Sequence, residues 1–381
     1  MKKSVKIKLI LILVAFGVCF FIGRSCLKAP AKLGIKWEAA AGGRQEERCL
    51  SFIETALSSK NGIFTNFLDD GEIRAWATGH QVLSESEGLM MLYAVQSGDK
   101  RLFDRHLKIV KSMLLDDGVI AWRVGKEGEL ITKASAFIDD IRIIRALFFA
   151  YDRWGDNEYI TTLEELIHKT KKHELTTAGP IDYYDAETKM AATTINLSYI
   201  DLYTMNLMAR TDDDWNKAVN QGVELIKGGF ISKNAPFYRK YYDYASKSYS
   251  TEAEINIIDY LKVLLHLSEV NLVPKEAIEW LRYQMDNYGA LYNSYDVDSG
   301  KPCTNFECSA SYALGCRIAA NTGDVKLYEI MKDKLLTFQI AKQESVLAGA
   351  FGDVKTKEVF SFDNLQALLA LQGSKVYTIR D

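Results

Sequence analysis

Proline is scarce in this chain of 381 residues. Only Pro30, Pro180, Pro236, Pro274 and Pro302 occur, and none interrupts a helix-period segment. So few breaks suit many uninterrupted helices, and Pro274, just before Lys275-Glu276, sits where a first helical turn accepts it. No C-x-x-C pair exists, and His80, His106, His168, His173 and His266 do not cluster with the cysteines. That argues against a zinc site, and no metal or cofactor is expected. An excess of basic charge is missing too: the net charge of −3 offers no footprint for nucleic acid. Linkers and low-complexity runs are absent beyond the first thirty or so residues, so residues 32–381 read as a single domain. With 48% hydrophobic and 25% charged residues, the chain can bury a large core and is not disordered.

The start is different in kind. Lys2, Lys3, Lys6 and Lys8 precede an uncharged apolar run from Leu9 to Gly23, which Arg24 ends. About fifteen residues is short for a membrane span and right for a signal-peptide core. Ala29-Pro30-Ala31 offers a cleavage site, and Cys26 raises lipidation as an alternative. Residues 1–31 are therefore expected to be a signal peptide or N-terminal anchor. The remainder is placed outside the cell or on the outer face of its membrane, which it touches only through that segment. Of the remaining cysteines, Cys303 and Cys308 form a bridge or stay free with Cys49 and Cys316.

Helix periodicity recurs after the leader, and so does a junction. Ser97-Gly98-Asp99, Trp154-Gly155-Asp156 and Thr322-Gly323-Asp324 each end one apolar helix and open another. Glycine takes the left-handed conformation that stops a helix, and the aspartate caps the next. Thr211-Asp212-Asp213-Asp214-Trp215 reads as a fourth junction without the glycine. Periodic segments centre near residues 52, 91, 107, 145, 164, 203, 220, 261, 282, 314, 332 and 367. Twelve helices as six hairpins predict an all-α fold, an (α/α)6 toroid; a superhelical solenoid is the alternative. Short β excursions are expected around 118–123 and 351–354.

Three segments carry candidate chemistry. Ser84-Glu85-Ser86-Glu87-Gly88-Leu89 places Glu87 among apolar neighbours, where desolvation raises a carboxyl pKa and suits it to donate a proton. The plainer reading is a capping box from Ser84 to Glu87. Glu252, Asn256, Asp259, Lys262 and His266 follow helical spacing and make one polar stripe. On a surface helix it would be a solvated face; on an inner helix of a toroid it faces the cleft. Asp139 and Asp140, in Ile138-Asp139-Asp140-Ile141, are candidates against a helix-capping role. Trp76, Trp122 and Tyr199 lie near these segments, with core packing as the alternative for each.

Ser86-Glu87-Gly88 before an apolar helix resembles the Ser-Glu-Gly motif of glycoside hydrolase family 8, whose glutamate is the general acid. Ile258 to Leu264 aligns without gaps on that family's Tyr-Asp-Ala-x-Arg-x-Pro segment, whose aspartate is the base. Asn196-Leu197-Ser198-Tyr199, with Tyr203 and Trp215 after it, resembles its Asn-Pro-Ser-Tyr stretch, and Ser135 to Leu147 its Asp-x-Asp helix. Order and approximate distances match along most of the chain. The first Asp-x-Asp position holds Ile138, the arginine after the base is Lys262, and Met90-Met91-Leu92 stand where Gly-Tyr-Gly is usual.

The resemblance implies an (α/α)6 glycosidase acting by inversion. Glu87 would be the acid and Asp259 the base, and Asp139, Asp140, Tyr199, Tyr203, Trp76 and Trp122 would hold the glycan. It points to divergent exported members that act on bacterial exopolysaccharide, with a polysaccharide as sole partner and a monomeric chain. Beside it stand a toroid whose ligand is not a glycan at all and two further readings. One is a polysaccharide lyase or other toroidal sugar enzyme using the tyrosines between Tyr238 and Tyr249; the other is a non-catalytic exopolysaccharide-binding protein with a degenerate site.

Overall fold

A computed structural model describes residues 32–37, 43–342 and 344–372. The leader, with the export, anchor and Cys26 expectations placed on it, lies outside the described residues. Among these, twelve α-helices follow one another: α1 Arg44–Ala56, α2 Ser84–Ser97, α3 Lys100–Ser112, α4 Phe137–Trp154, α5 Asn157–Glu174 and α6 Leu202–Ala209 make the first half. The second half is α7 Asp214–Gly229, α8 Ile257–Ser268, α9 Lys275–Tyr288, α10 Ser309–Asn321, α11 Val325–Leu336 and α12 Ser361–Leu371. Each falls on one of the periodic segments.

The junctions form as their residues dictate. Gly98, Gly155 and Gly323 take φ of 87°, 69° and 71°, where a Cβ is disfavoured. Asp99, Asp156 and Asp324 then accept hydrogen bonds from the backbone N–H of Leu102, Glu158 and Leu327 at 2.9, 3.0 and 3.1 Å. In the glycine-free junction the Asp214 N–H donates to Asp212 at 3.1 Å.

The even-numbered helices are inner and buried nearly all round; the odd-numbered ones lie outside. α2 packs on α4, α4 on α6, α6 on α8, α8 on α10, α10 on α12, and α12 returns to α2. That last contact closes the ring and separates a toroid from a solenoid, so the (α/α)6 expectation holds. Outside, α3 covers α2, α5 covers α4, α7 covers α6, α11 covers α10 and α1 covers α12. On the remaining hairpin, Trp280 of α9 meets Tyr260 of α8 edge-on with centroids 5.5 Å apart.

Polar bonds stitch the seams. Ser84 donates to Asp139 at 2.8 Å (α2 to α4), Asn321 to Ser268 at 3.0 Å (α10 to α8), and Ser309 to Asp363 at 2.8 Å (α10 to α12). Ser86 and Ser361 share a hydrogen bond of 2.9 Å across the closing seam. Among the described residues the β content is confined to short antiparallel pairs and one three-stranded sheet, in which Tyr241–Asp243 lies between Thr194–Asn196 and Ser248–Tyr249. Val82–Leu83, Thr194–Asn196 and Glu254–Asn256 run directly into the starts of α2, of the short 3-10 turn Leu197–Tyr199 before α6, and of α8. The two expected excursions appear as the Leu114–Ile120 bridge beside strand Arg123–Val124 and as the Gln339–Phe351 bridge. Cys49, Cys303, Cys308 and Cys316 are free thiols.

Candidate active site

The first turns of the inner helices supply the carboxyls. Glu85 comes from α2, Asp139 from α4 and Asp259 from α8. Tyr199 comes from the 3-10 turn before α6. Asp259 is half-exposed and accepts from the Ser198 hydroxyl at 3.3 Å. Asp139 is buried and takes 2.8 Å bonds from Ser84 and from Arg142. Arg142 also reaches toward Glu85, 3.7 Å away, and Lys262 lays its ammonium over the Tyr199 ring, 5.0 Å from the centroid.

Charge around Glu85 is finely opposed. Burial pushes its carboxyl up, and the Asp139 carboxylate adds to that; Arg142 and Lys262 pull it down, and Asp259 pushes it up again. The Tyr199 hydroxyl is likewise pushed up, first by burial and then by Asp139 and Glu85, with smaller contributions from Asp182 and Asp259. Glu85, Asp139, Asp259 and Tyr199 therefore form one electrostatic unit. A carboxyl pushed toward its protonated form beside a second carboxylate is an arrangement that suits acid–base hydrolysis of a glycoside.

Glu87 does not join them. It is 0% exposed and points back from the ring toward α3. There His106 shares a 2.6 Å hydrogen bond with it, and the Ile63 N–H donates to it at 2.8 Å. Gly62, at φ +136°, makes room: a Cβ there would lie 2.7 Å from the Glu87 carboxyl. Nor does the Ser84–Glu87 capping box form, because the helix starts at Ser84 and the Ser84 hydroxyl is given to Asp139. The cleft glutamate is Glu85, two residues upstream and also preceded by a serine, which sequence reasoning did not single out.

The other expected residues divide. Asp140 turns away from the cleft toward Glu174 of α5. Burial, then the Glu174 and Asp139 charges, hold the Asp140 carboxyl well up. Burial likewise raises Glu174 to about 8, against the hydrogen bonds from Ser135 and Asp140. Tyr203 is a core residue, stacked under the Arg145 guanidinium at 4.8 Å and edge-on to Phe149 at 6.3 Å. Trp76 is 66% exposed, on the segment before α2. Arg123 ties it near Trp122: its guanidinium lies 4.6 Å over the Trp122 ring and donates to the Arg74 and Trp76 carbonyls at 2.8 and 3.2 Å.

Three of the tyrosines invoked for a lyase are otherwise engaged. Tyr244 and Tyr249 donate to the Pro180 and Leu225 carbonyls at 2.7 and 2.8 Å, and Tyr242 packs between them.

Deeper along the ring axis, Asp201, His266 and Glu269 bring their ligand atoms within 4.8 Å of one another. The cation there is Arg145: it bonds both oxygens of Glu269 at 2.7 and 2.8 Å, Thr204 at 2.7 Å, and Asp201. Burial opposes ionisation of Glu269, yet Arg145 and His266 hold its carboxyl below the usual range.

The sequence profile of glycosyl hydrolases family 8 matches residues 66–235. A solved structure titled a novel alpha-amylase from Clostridium perfringens shares 36% identity and a TM-score of 0.81, covering 88% of this chain and 98% of that one. YdaJ of Bacillus subtilis (strain 168), whose name describes a lipoprotein, is 26% identical over 317 residues, 81% of this chain and 84% of its own. PssZ from Listeria monocytogenes has the same fold at 21% identity, with a TM-score of 0.66 over 88% of this chain and 98% of that one. A closed six-hairpin ring, paired carboxyls at the starts of its inner helices and these likenesses converge: the chain belongs to glycosyl hydrolase family 8, a glycosidase family that hydrolyses polysaccharides.

Proposed function

We propose that the protein is an exported inverting glycoside hydrolase in which Glu85, not Glu87, is the general acid and Asp259 the general base. The observation that carries this reading is the convergence of Glu85, Asp139, Asp259 and Tyr199 from four segments, with Glu87 buried away from them. Protonated Glu85 gives its proton to the leaving glycosidic oxygen, and Asp259 takes one from the water that attacks the opposite face. Such pairs stand about 6.5–9.5 Å apart so that the water fits between. Asp139 and Tyr199 hold the reacting sugar, and Asp139 also keeps the Glu85 proton in place. Trp76 and Trp122, tied together by Arg123, offer stacking faces along the glycan.

The substrate we favour is an extracellular polysaccharide, an exopolysaccharide of the producing cell in particular. The basic, apolar leader and the likeness to a protein with a lipoprotein name support that location. The alpha-amylase likeness favours a second reading, in which the chain cut is an α-linked glucan. Both are tested by incubating the purified protein with α-glucans, β-glucans and the host's exopolysaccharide. Reducing-end release identifies the substrate, and NMR of the first product gives the stereochemistry. Release with the anomeric configuration opposite to that of the linkage is expected; retention would remove the inverting mechanism.

A further inference from the structure

Inversion consumes one water per bond cut, and that water must arrive on the side of Asp259. A glycan seated over Glu85, Asp139 and Tyr199 covers the cleft approach. Asp259 itself borders a space of about 120 Å³, together with Ser198, Tyr238, Asn256, Tyr260, Val263 and Val297. One water needs roughly 10–15 Å³ of such volume, so several fit. Tyr260 is only 2% exposed, and its hydroxyl has no hydrogen-bond partner among the described residues. The ring cannot swing to find one, because Phe237 and Trp280 hold it edge-on at 5.2 and 5.5 Å. Buried hydroxyls are rarely left without a partner, and in a space of this size, with the Ser198 hydroxyl and the Asp259 carboxylate on its border, ordered water supplies one.

Resting on the assignment of Asp259 as base, we propose that this space stores the attacking water. The Tyr260 hydroxyl anchors one end of a short chain of water and the Asp259 carboxylate draws from the other. In each turnover the water oxygen bonds to the anomeric carbon and its proton passes to Asp259. The bond from that carbon to the glycosidic oxygen breaks with its electron pair on oxygen, which takes the Glu85 proton. The next water moves up from behind. Tyr260 is thus a positioning residue, acting through water and not on the sugar.

A crystal structure that resolves ordered water tests this directly: water bonded to the Tyr260 hydroxyl and continuing to Asp259 is expected. Tyr260→Phe should lower kcat about five-fold, the worth of one hydrogen bond, with KM and melting temperature kept. Val263→Ile, which narrows the space by one methyl group, should act in the same direction. Absence of ordered water at the Tyr260 hydroxyl, or a Tyr260→Phe enzyme with wild-type kcat, overturns the proposal. Full activity in Asp259→Asn would instead overturn the base assignment, and the water positions would still be read independently.

Discussion

Two acidic clusters sit in the same ring and are built on opposite principles. In the axial cluster, Arg145 satisfies Asp201 and Glu269 together, and both oxygens of Glu269 are bonded. In the cleft cluster, Glu85 has Arg142 only at 3.7 Å, Asp259 accepts one long bond from Ser198, and Lys262 rests on a tyrosine face instead of in an ion pair. Saturated charges hold helices together. Underpaired charges in a half-open site remain available to exchange protons and meet a ligand. The contrast separates structure from chemistry better than acidity alone, since both clusters are mostly carboxylates.

The sharpest break of the comparison comes from neighbouring glutamates. Glu85→Gln and Asp259→Asn should each lose at least roughly 10²–10⁴-fold in turnover while folding normally, measured by reducing-end release on folded protein. Glu87→Gln should keep turnover per folded molecule and lose about 1–3 kcal/mol of stability, because the buried His106 partner is weakened. Arg145→Met comes next. It leaves Asp201 and Glu269 buried without their cation and should cost about 3–5 kcal/mol in denaturant unfolding.

The cleft can also be tuned through its charges. An acid works only while protonated, so whatever raises the Glu85 pKa carries activity to higher pH. Lys262→Met removes a cation that lowers it and should move the alkaline limb of the kcat–pH profile upward. Asp139→Asn removes the carboxylate that raises it and should move that limb downward, whatever it does to KM. The smallest effect is at Asp140–Glu174. Glu174 is raised in the folded state, to about 8 from an ordinary 4.5. Its contribution is fully present below the unfolded value and is lost as pH rises through about 8. Thermal melts should show stability falling across that window, with a flatter slope in Glu174→Gln.

The helices were legible because period and punctuation agree: Gly98-Asp99 or Gly155-Asp156 announces a boundary with both a stop and a cap. Which glutamate faces the cleft was not. Residues two apart on a helix point about 200° apart, so Glu85 and Glu87 face opposite sides of α2. Orientation is normally read from which face is apolar, but α2 buries nearly every residue, from Ser84 to Val95. Asp139 and Asp140 posed the same difficulty 100° apart, and the structure sends one to the cleft and the other to α5. Asp259 was legible because α8 keeps a polar stripe: Asp259 reaches the cleft, and Lys262 and His266 line the axis below it. Motif order located the right turn of each helix, and side-chain direction needed the packed ring.

The closing seam has a consequence for how the chain is made. Among the described residues the last helix, α12, is the neighbour of the first inner one, and Asn66 accepts a hydrogen bond from the Val359 N–H, 293 residues away. A fragment that ends before α12 cannot finish this core, because the face of α2 that meets α12 stays uncovered until α12 has been made. Contacts so distant in sequence slow folding and prolong the exposure of apolar surface.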